Sequence, residues 1–129
     1  MNVKVSNVLE KLLGGYKVLV QVENNEFIAE WNGDEPEENE NYDVEMDIED
    51  DFIWDTNIVL SCEKSSVIIQ NDEEIKIVAK LDYNSEDNLA TLKIYDSVVL
   101  IDIEGIEQDI LNEWVELHCT LIKIYNTNL

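Results

Sequence analysis

Arginine is missing from this chain altogether, and its basic side chains are eight lysines and one histidine set against thirty Asp and Glu. Arginine is the planar, bidentate reader of phosphate and guanine, so its absence removes the usual means of holding nucleotides. The formal net charge of −22 repels phosphate and anionic headgroups, which excludes direct binding to nucleic acid or to a membrane surface. Neither a G-x-x-x-x-G-K-[ST] loop nor a G-x-G-x-x-G turn is present, so no phosphate-cradling motif exists. No apolar run approaches the roughly 20 residues of a membrane helix, and no apolar core follows basic residues after Met1. Two cysteines, Cys62 and Cys119, are too few for a disulfide framework and suit a reducing, cytoplasmic setting. One proline and four glycines beside 45% hydrophobic residues exclude a disordered or collagen-like chain.

What is present fits one globular unit. The 129 residues are expected to form a single domain, 1–129, burying roughly two thirds of the surface that the unfolded chain exposes. Val5, Val8, Leu9 and Leu12 fall at helical spacing, with Ser6 as a possible cap and Gly14-Gly15 as a stop, which predicts a short helix over 5–13. The period then becomes two. Residues 16–22 and 26–31 read as a hairpin, 32–41 as a polar loop, and 42–49 as an alternating strand. Further strands are expected at 57–63, 67–70, 74–82, 89–95 and 98–101. Ile106, Ile110 and Leu111 suggest one or two helical turns, and 114–125 a last strand. The class is mainly β (α+β): an antiparallel barrel or sandwich, with a short N-terminal helix and a small helix before the last strand. A small helix before the closing strand is compatible with an OB-like barrel, although the strand count is high for one.

The distribution of charge says more than its total. No basic residue lies between Lys17 and Lys64, while sixteen of the thirty acids do. Asp43, Glu45, Asp47 and Glu49 alternate with Val44, Met46 and Ile48. A strand sends the latter into the core and sets the former in a row, about 6.6–6.8 Å apart, on the outer face. Such a row resembles the phosphate spacing along a nucleic-acid strand. It repels itself unless something offsets it, and it would speed association with a basic partner by about 10–10³-fold. Asp50, Asp51 and Asp55 extend the tract, and Trp31 and Trp54 border it as candidate anchors.

These features predict a non-catalytic acidic binding protein that docks on a basic protein and inhibits it, as an immunity-type or nucleic-acid-mimicking inhibitor does, without any cofactor. The competing reading is a β-barrel for a small ligand or divalent cation, with or without enzymatic activity; an accessory subunit of a larger assembly is a third. The EF-hand pattern is absent, and alternate strand residues splay too far apart to chelate one ion. His118 and Cys119 are adjacent, so on a strand they point to opposite faces. With Cys62 they make three metal ligands at most, without C-x-x-C spacing. Oligomeric state is not legible at this level.

Overall fold

The computed structural model describes residues 1–127. Among them there are twelve strands and no helix: β1 (Asn2–Leu12), β2 (Gly15–Val22), β3 (Asn25–Asn32), β4 (Asn41–Ile48), β5 (Asp51–Ile53), β6 (Ile58–Leu60), β7 (Val67–Asn71), β8 (Glu74–Asn84), β9 (Leu89–Ile94), β10 (Ser97–Glu104), β11 (Ile110–Cys119) and β12 (Ile122–Asn126).

Five of these close a barrel in the order β1-β2-β3-β12-β4, with β4 returning to β1. The last strand is inserted between two early ones, parallel to β3 and antiparallel to β4. The remaining seven form a second sheet, β5-β10-β9-β8-β11-β6, with β7 paired to the first part of β8. A bridge between Trp54 and Ile58 joins its two ends and nearly closes it. The chain thus builds most of the barrel, leaves after β4 to make the sheet, and returns with β12. Gln70 ties the two together, its side-chain oxygen accepting the Ile28 N–H at 3.0 Å.

Alternation explains most of this. In β2 and β3, Val18, Val20 and Val22 meet Phe27, Ala29 and Trp31 inside, and the two-residue turn Glu23–Asn24 holds Glu23 at φ 54°. Barrel and sheet share one buried cluster, with Phe27 and Ile124 from the former and Ile77, Leu81, Leu92 and Leu117 from the latter. Each such side chain contributes about 1.5–3 kcal/mol on burial.

Both expected helices are corrected to strand and loop. Residues 5–13 belong to β1 and the turn after it, and two bulges account for their helical spacing. The ladder runs Val5↔Val20 and then Asn7↔Leu19 and Val8↔Val18, so Ser6 is an extra residue. Val5 and Val8, three apart, therefore oppose Val20 and Val18, which are two apart. Gly14-Gly15 is not a helix stop. Leu12 pairs with Gly15 across a hairpin turn in which Gly14 takes φ +91°, and a Cβ on Gly15 would lie 2.1 Å from the Trp31 carbonyl oxygen. At 106–111 the chain is a loop running into β11. There Ile110 pairs with Tyr83 but Glu113 with Leu81, an irregularity with Asn112 at φ 52°, and the helical spacing of Ile106 and Ile110 falls on loop and strand start.

Candidate functional site

On β4, Val44, Met46 and Ile48 are buried while Asp43, Glu45 and Asp47 are exposed, and Glu49 continues the row. The comb of carboxylates is therefore present as alternation requires. It is not left bare. The Met1 ammonium lies 3.4 Å from Asp43 Oδ1 and 3.5 Å from Asp96 Oδ1. The Tyr125 hydroxyl donates to Asp47 Oδ2 at 2.8 Å, and Lys123 Nζ sits 3.2 Å from Glu49 Oε1. Both donors feel this: the hydrogen bond to Glu49 pushes the Lys123 ammonium pKa up, and that to Asp47 pushes the Tyr125 hydroxyl up. Glu45 makes no hydrogen bond or ion pair among the described residues.

The row does not stand on a flat surface. β4 faces β10 across an open groove of about 520 Å³ lined by Asp43, Glu45, Asp47 and Asp96 together with Val98 and Leu100. Asp96 reaches it from the tight turn after β9, where Tyr95 takes φ 55° and its N–H donates to Ser66 Oγ at 2.8 Å. Val98 and Leu100 are 70% and 64% exposed, because β10 alternates and sends Val99 and Ile101 inward. The run 98–101 thus carries two outward aliphatics that sequence reasoning did not assign to the site. Its place directly after a hairpin turn was the available signal, since only every second residue of a one-sided strand can be buried.

The other expected site residues scatter. Asp50 accepts the Thr120 N–H and hydroxyl, both at 3.0 Å, and so fastens the turn between β11 and β12. Asp51 opens β5 beside Asp102, and Asp55 lies at φ 67° in the turn joining β5 to β6. Trp54 is half-buried against the core. The surface-anchor expectation for Trp31 is corrected by its burial. It is 2% exposed, its indole N–H donates to the Asp34 carbonyl at 2.7 Å, and its ring meets Tyr42 edge-on at 4.9 Å. Phe27, Ala29 and Trp31 share one strand phase, and that phase faces the barrel interior.

His118 and Cys119 point to opposite faces. Cys119 is buried in the core, and desolvation, helped by nearby Asp50, pushes its thiol up to about 12; a thiolate nucleophile is strongly disfavoured there. The His118 ring lies outside, with Nε2 2.8 Å from Glu116 and Nδ1 2.5 Å from Glu74, the latter contact lacking hydrogen-bond alignment. The hydrogen bond from His118, with Lys76 beyond it, holds the Glu116 carboxyl below the usual range. Cys62 is exposed in the loop after β6. Among the described residues no three His, Cys, Asp or Glu side chains are placed to share a metal ion. Comparison with protein-family models, curated proteins and solved structures returns no match.

Proposed function

We propose that this chain is a binding protein, without a catalytic step of its own, that docks its acidic groove on a basic protein and inhibits it by occupying the place of phosphates. One observation carries the reading: the groove between β4 and β10 combines a carboxylate row with two exposed aliphatic side chains, Val98 and Leu100. A purely solubilising face gains nothing from exposing aliphatics beside its acids. A docking face gains desolvated contact at its centre and charge selectivity at its rim. In the same reading the barrel is OB-like, a five-stranded closure with the second sheet inserted before its last strand. The two unpaired thiols, Cys62 and Cys119, suit the cytoplasm.

The test is capture from the native lysate on immobilised protein, with nucleic acid added as competitor. The captured protein should be basic and should be released by DNA or RNA. A variant carrying Asp43→Asn, Glu45→Gln, Asp47→Asn and Glu49→Gln should lose it through slower association. Capture of a non-basic protein, or full retention by that variant, would sink the proposal.

A further inference from the structure

The outward face of the second sheet carries an arrangement of opposite sign next to the groove. Strand register places Val98, Lys93, Lys80 and Trp114 in one row across β10, β9, β8 and β11. Directly opposed residues share a face, so Lys80 and Lys93 stand side by side. Like charges so placed are destabilising, yet in a chain with thirty acids neither lysine has a carboxylate partner among the described residues. Lys80 instead rests over the Trp114 ring, 5.3 Å from its centroid. Along the surface the order is therefore acids on β4, aliphatics on β10, then lysines on β9 and β8.

That order is self-complementary. A two-fold axis through Val98 and Leu100 lays the aliphatics of one copy on those of the other and sets each acid row against the other's lysines. The spacings agree. Adjacent strands lie about 4.8 Å apart, which puts Lys93 and Lys80 about 5 and 10 Å from Val98. On the other side, Cα atoms of β4 approach β10 within 8 Å. β5 covers only residues 102–104 of β10 on the side away from β9, so on that side Ser97–Ile101, paired to β9 on the other, face β4 with no hydrogen-bonded strand among the described residues. Overall repulsion between two acidic chains does not forbid the contact. At physiological salt, charges more than about 8 Å apart are largely screened, while pairs brought into contact are not.

We infer that the chain self-associates as a two-fold dimer through Val98 and Leu100 of β10, with Glu45 and Asp47 of each copy paired to Lys80 and Lys93 of the other. The dimer is independent of the proposed function and competes with it, since a basic partner and a second copy would use the same carboxylates.

Sedimentation of the full chain over a concentration series tests it. The wild type should rise to twice the 14.9 kDa chain mass. Lys80→Glu with Lys93→Glu should stay at the single mass, as should Glu45→Lys with Asp47→Lys. An equimolar mixture of these two variants should return to the doubled mass, because both charge contacts are then restored with signs exchanged. Leu100→Glu, which puts a charge at the centre, should be monomeric and guards against a misfolded charge variant. A wild type at single mass throughout, a mixture that does not reassociate, or a Leu100→Glu variant that remains dimeric would each overturn the inference. The lysine-reversed variant keeps its acid row, so it should still hold a basic partner; failure of the dimer and failure of the docking reading are thereby separable.

Discussion

The closed barrel and the nearly closed sheet solve the same problem at different cost to the surface. The barrel leaves no edge, because β12 fills the gap between β3 and β4. Among the described residues its exposed large hydrophobics are Leu9 and Leu13 near one hairpin, whereas the sheet exposes Ile53, Val59, Leu60, Leu89, Val98, Leu100 and Leu111. Open edges and outward aliphatics are what natural sheets normally suppress. The barrel therefore reads as the scaffold that presents the acid row, and the sheet as the part that supplies apolar contact. The groove lies where the two meet.

The largest break in this comparison should come from the barrel. Phe27→Ala empties a fully buried site of β3 and should cost about 3–5 kcal/mol, read as a shift in denaturant midpoint. Gly15→Ala should follow at about 3 kcal/mol, since the new Cβ would meet the Trp31 backbone and not a movable side chain. After β10 of the sheet, a Cβ on Gly105 would meet Trp54 only at ordinary contact distances, 3.4 Å to its Cβ and 3.7 Å to its backbone nitrogen, so Gly105→Ala should lose about 1–2 kcal/mol, from its φ of +91°. Equal losses at the two glycines would mean that the barrel closure is no stiffer than the sheet.

What the sequence made legible divides along the same line. Hairpin β2–β3 and strand β4 keep an unbroken period of two, and the acid row follows directly from it. Strand β1 did not, because bulges at Ser6 and Leu9 convert strand alternation into spacing by three. The neutralisation of the row was hidden for another reason. Lys123 and Tyr125 lie some eighty residues from their partners in the chain, and only the insertion of β12 beside β4 brings them there. Local pattern carries no information about that pairing, nor about the turn that delivers Asp96. Val98 and Leu100 were partly legible, as the outward phase of a one-sided strand.

The second expected effect is alkaline. The Cys119 thiol is raised from 9.0 to about 12, chiefly by burial. Between those values the folded state holds a proton that the unfolded chain has released, so stability falls as pH rises, by at most about 1.4 kcal/mol per pH unit from this group. The raised Tyr95 and Tyr125 hydroxyls act in the same direction. Thermal melts from pH 8 to 10.5 should show the decline, and Cys119→Ala should flatten it whatever it does to the melt at pH 8. An unchanged slope would show that the thiol is not sealed where barrel and sheet share their core.

The two phases of β10 should differ next. Val98→Thr and Leu100→Gln change outward positions and should leave the stability of the isolated chain within about 0.5 kcal/mol, whereas Ile101→Ala on the inward phase should cost about 2–5 kcal/mol. A large loss from the outward pair would mean that these side chains serve the fold and not the groove.

The smallest effect belongs to the outer face of the sheet at low pH. Glu116 accepts from His118 and lies 3.5 Å from Lys76, and its carboxyl is held below its usual 4.5. A depressed folded pKa means that the unfolded chain binds the proton first. The contribution is then complete above the unfolded value and is lost as pH falls through the folded one. Because both side chains still reach solvent, Glu116 at 28% and His118 at 32% exposure, screening should keep it to about 0.5 kcal/mol. Glu116→Gln should therefore lower stability slightly at pH 7 and make the curve between pH 5 and 3 shallower than that of the wild type. The two curves should converge at the acid end, where the wild-type carboxyl is also neutral. A variant whose deficit persists undiminished at pH 3 would show that the loss does not come from the ionised carboxylate, and that its partnership with His118 contributes nothing to the fold.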